Sequence, residues 1–326
     1  MKSLGICKRS SIGTQYTSDQ CNEINARRST MILQNKVALV TKLSFSILAL
    51  CLSSIPMSLE IKSMVVLKQF GILFVLGIAG IAMFTITSVP LVEQQLAKLS
   101  PEMLAKVPPL WVLMLLQGLQ PTVLLAISIL IGIGCANRVG LRSHLIDYWV
   151  LHTPKIPFSV IEMQWSLGVG AATTIILLLI DRLMKPALPE ALQASNNTEP
   201  NWLSSLTGML YGGITEEILM RWGLMSLLVW IAWKVLKQGI TLPSQGIYQG
   251  AIVLAALVFG LLHLPATAAI VPLTPLVIIR AILLNGIAGI AFGWLFWQYS
   301  LEAAMLSHVS FHAFSFALSF LLARFV

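Results

Sequence analysis

The sequence predicts an all-α, polytopic helical membrane protein with about eight transmembrane helices. Of its 326 residues, 57% are hydrophobic and 10% are charged, whereas ordinary soluble domains carry about 25% charged residues. Apolar runs recur along the chain at the length of about 20 residues that a membrane span needs. Backbone within lipid must satisfy its own hydrogen bonds, and runs this long favour helices over barrel strands. We therefore expect an integral, multi-pass protein whose surroundings are the lipid bilayer.

The formal net charge of +8 does not predict a nucleic-acid partner. The basic residues are scattered over span ends and short loops, which is typical of membrane helices, and no basic run is interleaved with aromatics. The four cysteines are widely spaced, without a C-x-x-C pair, so neither a disulfide framework nor a cysteine-ligated metal is predicted. Cys51 and Cys135 lie in apolar stretches and are expected to be small core residues.

Four segments divide the chain. Residues 1–35 are polar and rich in Ser, Asn and Arg, and are predicted to be a disordered extension. Residues 36–184 contain the N-terminal spans and an amphipathic interfacial segment near 136–164. Residues 185–201 form a loop with three prolines, and residues 202–326 contain the C-terminal helices. The predicted spans lie at about 43–59, 70–91, 110–135, 165–181, 202–235, 248–271, 276–298 and 300–325.

One span carries three charges within six residues. The stretch YGGITEEILMRW places Glu216, Glu217 and Arg221 between apolar flanks, and each charge near the bilayer centre costs roughly 2.5–3.5 kcal/mol on insertion scales. Glu217 and Arg221 are four residues apart and can pair along one helix face. Glu216 lies about 100° around the helix from Glu217. The spacing thus permits one neutralised glutamate and one that meets water.

Further ionisable residues follow on the next three spans: His263, Arg280, Glu302, His308 and His312. His308 and His312 project from one helix face, and Gly286, Gly289 and Gly293 form a small-residue stripe for close packing. Each feature alone has a structural reading, as an ion pair, a satisfied interfacial histidine or a packing pair of histidines. Their recurrence on three of the last four spans, when the first four have none, favours a site for acid–base or metal chemistry.

Several polar residues are predicted to lie at the membrane surface. His144, Asp147 and His152 fall in the interfacial segment and are read as solvated. Glu302 is expected near the lipid headgroups, where it could also bind a substrate or cap a helix N-terminus.

Three motifs in order resemble those of a known family. E-E-x-x-x-R (from Glu216), F-x-x-x-H (Phe259 and His263) and H-x-x-x-H (His308 and His312) are similar to the CPBP family. These are the CAAX-protease and bacteriocin-processing membrane proteases, also called the Abi family and related to the prenyl-protein endoprotease Rce1. The resemblance covers about residues 205–315. It departs at His312, where the family often has Asn, and at Glu302, where an aromatic residue is common.

The resemblance implies a peptidase mechanism. Glu216 would be the general base, and His263 would orient the same water for attack on a peptide carbonyl. His308 and His312 would stabilise the oxyanion, while Glu217 and Arg221 would hold the first helix in place. Family members have been described both as metalloproteases and as metal-independent glutamate proteases. Glu216, His263 and His308 would suffice as ligands of a divalent metal such as Zn²⁺, with water in the fourth position.

Three functions compete at this point. The first is an intramembrane endopeptidase that cleaves a membrane-embedded or lipid-anchored peptide or protein. The second is a non-catalytic membrane partner, or an immunity-type protein of the same fold, and loss of a motif residue would favour it. The third is a transporter, which often shows internal repeats, but the two halves here share no polar pattern. The intact motifs favour the peptidase.

Overall fold

The computed structural model describes residues 59–152, 159–194, 201–236, 242–322 and residue 324. Throughout these residues the regular elements are helical, and seven helices are long and apolar enough to cross a membrane. They confirm the all-α membrane class and seven of the predicted spans. The eighth, at about 43–59, and the predicted extension at 1–35 lie outside the described residues.

Three long helices form the N-terminal part of the described chain. They are α1 (Leu59–Thr87), α4 (Leu110–Cys135) and α6 (Val160–Met184), joined by the short helices α2 (Val89–Leu96), α3 (Pro101–Leu104) and α5 (His144–Trp149). Helix α4 continues through Pro121 and ends at Cys135, which is buried as predicted. A 3₁₀ turn (Ala136–Val139) then leads to Gly140, whose φ of 73° favours glycine.

The C-terminal part contains four further spans. After a 3₁₀ turn (Lys185–Ala187) and the short helix α7 (Glu190–Ala194), residues Trp202–Val235 cross as one continuous span, which we call the site helix. It comprises α8 (Trp202–Thr207), two π-helical segments (Gly208–Glu216 and Ile218–Met225) and α9 (Ser226–Val235). The remaining helices are α10 (Gln245–Leu262), α11 (Leu264–Ala268), α12 (Pro275–Gln298) and α13 (Leu301–Leu322).

The site helix lies in the middle of the bundle because small residues let its neighbours approach it closely. A Cβ on Gly132 of α4 would collide with the Trp222 indole, and one on Gly80 of α1 would collide with Thr215. Trp222 is 1% exposed, and the Thr215 hydroxyl donates to the Gly77 carbonyl of α1 at 2.8 Å. Such close approach is the usual basis of helix association in lipid.

Helices α10 and α12 pack as an antiparallel pair with a defined register. Gly260 meets the backbone of Ile282, Gly289 meets Ala256, and Gly293 meets Ile252. The predicted small-residue stripe is therefore confirmed at Gly289 and Gly293. It is wrong at Gly286, where an added Cβ would have nothing within 4 Å.

The interfacial segment differs from the prediction in its polar residues. His144 is buried rather than solvated, because its Nε2 lies 3.0 Å from the carboxylate of Glu162. Glu162 is also buried and accepts a hydrogen bond from Ser300. Span α6 accordingly begins at Val160, five residues before the predicted start, with the Ser159 hydroxyl capping its first turn. His152 is exposed, as predicted.

Glu302 closes the other side of this network. Its carboxylate accepts hydrogen bonds from the Ser143 hydroxyl at 2.6 Å and from the backbone amides of His144 and Leu145 at 2.8 and 3.1 Å. The expected capping role is therefore present, on helix α5. A carboxylate at this position accepts hydrogen bonds from backbone N–H groups that have no partner within the first turn of a helix.

Candidate active site

A cavity of about 370 Å³ lies among the C-terminal helices and α6. All four residues predicted to act on substrate line it: Glu216, His263, His308 and His312. They come from the site helix, α10 and α13, so three spans converge on one space. Most of the remaining wall is apolar, and its other polar residues are Thr174, Asp181, Thr207, Tyr211, Arg280, Asn285 and Ser315.

Glu216 and His263 face each other across the cavity. The Glu216 Oε1 lies 3.9 Å from the His263 Nε2, and their side chains are 18% and 30% exposed. That distance is too long for a direct hydrogen bond and suits a water molecule shared by both groups. The His263 Nδ1 lies 2.8 Å from the Phe259 carbonyl oxygen. Because a carbonyl only accepts, Nδ1 carries a proton, and in the neutral ring Nε2 carries a lone pair.

Glu217 is fully buried and points away from this pair. Its Oε2 lies 3.0 Å from the Arg221 Nε, which is the predicted ion pair, and its Oε1 accepts from the His308 Nδ1 at 2.8 Å. One carboxylate therefore joins the site helix to α13. A buried carboxylate without such partners would be strongly unfavourable.

Arg221 extends the same contacts to α10 and α12. Its Nη2 donates to the Gly289 carbonyl at 3.2 Å, and its guanidinium lies 5.3 Å and 5.8 Å from the ring centroids of Phe259 and Phe292. Both distances are within the range of cation–π attraction. The arginine is 2% exposed, so it acts on the cavity only by positioning its neighbours.

The two histidines of α13 form a stack beside Gly212. Their ring centroids are 5.0 Å apart with an interplanar angle of 17°, and Phe292 stacks on His308 at 4.6 Å. A Cβ added to Gly212 would lie 2.9 Å from the His312 Nε2 and 3.1 Å from the His308 Nε2. Both Nε2 atoms therefore converge on the bare backbone of Gly212. Because the His308 Nδ1 binds Glu217, only its Nε2 is left to meet a substrate.

The residues present do not fit the predicted metal site. Within the described residues, no group of three or more His, Cys, Asp or Glu side chains is placed to hold a metal ion. A metal bound by Glu216, His263 and His308 stays a prediction.

Sequence reasoning missed three features of the site. The π-helical turns of the site helix were not foreseen, although such turns are rare and often mark functional sites. The close approach of the site helix to α13 was also missed, although the Gly212–Gly213 pair was an available signal for it. Asp181 was assigned only to the end of a span, yet it lines the cavity with Arg280.

Glutamate and histidine side chains thus line a cavity enclosed by helices of a multi-pass membrane protein. Residues 198–314 match the family model described as type II CAAX prenyl endopeptidase Rce1-like. This match supports a relation of residues 198–314 to the Rce1-like family of CAAX-type membrane endopeptidases. The matched range contains every residue of the three motifs. Comparisons with curated proteins and with solved structures returned no match.

Proposed function

We propose that the protein is an intramembrane endopeptidase in which Glu216 and His263 activate a water molecule. The observation that carries this proposal is the 3.9 Å separation of the Glu216 Oε1 and the His263 Nε2 in a cavity that His308 and His312 also line. Both groups accept hydrogen bonds, so a water between them donates one O–H to each. Its lone pairs then face the cavity, where a peptide carbonyl would bind.

Glu216 acts as the general base in the first step. As the water oxygen forms its bond to the carbonyl carbon, one water proton passes to the Glu216 carboxylate and the carbonyl oxygen becomes an oxyanion. In the second step the C–N bond breaks and Glu216 returns that proton to the leaving amine. A positioned carboxylate of this kind contributes about 10²–10⁴-fold to the rate.

His308 and His312 stabilise the oxyanion from their Nε2 atoms beside Gly212. The His308 Nδ1 already donates to Glu217, so its Nε2 donates when the ring is doubly protonated. Glu217, which is also bound by Arg221, holds this ring in place. Fixed donors in a dry site are worth far more than in water, about 10²–10³-fold for one donor.

The proposed substrate is a peptide or protein that is embedded in the membrane or anchored to it by a lipid. This proposal is supported by a mostly apolar cavity lined by five membrane-spanning helices. The substrate panel for any assay therefore needs three matched peptides: one that is soluble, one with a membrane span and one with a prenyl chain.

The test is cleavage of fluorogenic peptides by the purified protein in lipid. Glu216→Gln and His263→Ala are expected to lower kcat/KM at least about 100-fold, because each removes one of the two groups that hold the water. Glu93→Gln and His152→Ala are matched controls, since both residues are exposed and lie outside the cavity. Thermal unfolding should show that all four variants remain folded.

Two outcomes would contradict this mechanism. Full turnover in Glu216→Gln or His263→Ala would remove those residues from the chemistry. Absence of turnover by the wild type on every peptide, with the fold intact, would favour the non-catalytic partner. A chelator arm tests the metal prediction separately: turnover lost with chelator and restored by Zn²⁺ would establish a metal site, and unchanged turnover would support activation by protein groups alone.

A further inference from the structure

An ion pair lies in the cavity wall that the mechanism does not use. The Arg280 Nε of α12 donates to the Asp181 Oδ1 of α6 at 2.6 Å, and the two side chains are 23% and 16% exposed. Both residues line the same cavity as Glu216 and His263. An ion pair that only joins two helices can be fully buried. This pair is instead partly exposed and lines the cavity, so a ligand in the cavity could reach it.

Arg280 lies on a level with the proposed water site. Gly260 of α10 packs against the backbone of Ile282 in the antiparallel α10–α12 pair. One helical turn further along α10, His263 is therefore opposite residues near Arg280. Along α12, Arg280, Leu284 and Ala288 are spaced by four residues and all line the cavity, so one face of this helix forms a continuous wall.

The Arg280 guanidinium has N–H groups beyond the one that binds Asp181. Asp181 occupies the Nε, and among the described residues no hydrogen bond is found to Nη1 or Nη2 of Arg280. Arginine carries five N–H donors in a planar fork that matches the two oxygens of a carboxylate. The bond to Asp181 restrains the arginine side chain, which reduces the entropy lost when a second anion binds.

We infer that Arg280 is a specificity-determining residue that binds a carboxylate of the substrate peptide. This inference rests on the proposed function, since it concerns the substrate of the same cavity. The carboxylate is either the free C-terminus or an acidic side chain near that end, because both offer the same two oxygens. The inference predicts that the enzyme selects peptides by a negative charge at a set distance from the bond that it cleaves.

The simpler alternative is that the pair only joins α6 to α12. In that case, loss of Arg280 would weaken the fold and lower binding of every peptide equally. Anion recognition predicts a different result, because only peptides that carry the carboxylate would lose affinity. A comparison of charged and uncharged forms of one peptide separates the two alternatives.

The experiment measures peptide binding rather than turnover, by fluorescence anisotropy with full-length protein in lipid nanodiscs. Three labelled peptides of one apolar sequence are compared: a free C-terminal acid, its C-terminal amide, and an amide with Glu as the last residue. The variants are Arg280→Gln, Arg280→Lys and, as matched control, Arg182→Gln. Arg182 follows Asp181 in the last turn of α6, is exposed and does not line the cavity.

We expect the wild type and Arg182→Gln to bind the preferred carboxylate peptide at least about tenfold more tightly than the plain amide, the usual strength of a charge-assisted bond. Arg280→Gln should abolish that difference and leave affinity for the plain amide unchanged. Arg280→Lys should retain part of the difference, since it keeps the charge without the fork. Preference for the free acid or for the Glu amide identifies the source of the carboxylate.

The inference is overturned if the wild type does not distinguish the charged peptides from the amide, or if Arg280→Gln still does. It is also overturned if Arg280→Gln weakens all three peptides alike, which is the signature of a purely structural pair. Because binding needs no turnover, failure of the proposed hydrolysis would show separately, as bound peptides that the wild type does not cleave.

Discussion

At the scale of single residues, neighbouring carboxylates have separate surroundings. Glu216 faces His263 across an open cavity, whereas Glu217 is enclosed between Arg221 and His308. The first can exchange a proton with a bound water, and the second holds a fixed charge that positions a histidine. Gly212 completes the arrangement, since its missing side chain leaves space where both α13 histidines present Nε2.

The role of that space can be tested with Gly212→Ala. The added methyl would lie 2.9–3.1 Å from both Nε2 atoms, so we expect it to displace the oxyanion donors and to lower kcat at least about tenfold, as for loss of part of an oxyanion hole. Gly286→Ala is the matched control, because its methyl meets nothing within 4 Å. Equal kcat in the two variants would show that the carbonyl does not bind beside Gly212.

At the scale of elements, the short helix α5 is held to the bundle by two carboxylates. Glu302 of α13 pairs with its N-terminal amides, and Glu162 of α6 binds His144 and Ser300. Asp147 adds a third carboxyl beside them. Burial raises the pKa of Asp147, and the Glu302 charge raises it further, while Arg142 and His144 act in the opposite direction.

A raised pKa sets the sign of a pH effect on stability. The folded state favours the protonated form of Asp147 more than the unfolded chain does. The contribution of Asp147 to the free energy of unfolding is therefore present at low pH and is lost as the pH rises through the folded pKa. We expect Asp147→Asn to raise the thermal unfolding midpoint at pH 7 and to leave it unchanged near pH 3. A midpoint that falls at pH 7 in Asp147→Asn would contradict this prediction, because it would mean that the ionised carboxylate stabilises α5.

At the scale of the whole bundle, the contacts between loops define two membrane faces. Glu302 at the start of α13 binds the Ser143 hydroxyl at the start of α5, and Ser300 of the α12–α13 turn binds Glu162 at the start of α6. The Tyr248 hydroxyl at the start of α10 donates to the Val139 carbonyl. At the opposite ends, Asp181 pairs with Arg280, and Leu188 packs with Val271 and Val277. The cavity residues Asp181, His263 and Arg280 all lie toward this second end.

These faces predict a labelling pattern. In a background without native cysteines, Lys106→Cys and Leu273→Cys should react with a membrane-impermeant thiol reagent from one side of sealed vesicles. Leu151→Cys and Gln245→Cys should react only from the other side. All four positions are exposed, so their reactivity depends on the side of the membrane. Reaction of Lys106→Cys and Gln245→Cys from the same side would contradict the seven crossings.

Composition and periodicity determined the class of this protein and much of its outline. Long apolar runs have few alternatives to a spanning helix, because lipid cannot hydrogen bond to the backbone. The predicted span at 110–135 has the bounds of α4, and those at 202–235 and 276–298 agree with the site helix and α12 within one residue. The charged residues of the site helix could also be recognised from the sequence as a candidate site, because ionised groups within a membrane span are energetically costly.

Only the tertiary structure decided which of these groups meet. Sequence spacing fixes neighbours on one helix, such as Glu217 and Arg221, but not contacts between helices. The pairing of His308 with Glu217, the burial of His144 against Glu162 and the meeting of Asp181 with Arg280 join residues 91, 18 and 99 positions apart. Such contacts follow from packing at glycines and from the register of antiparallel spans, which arise when the whole bundle assembles.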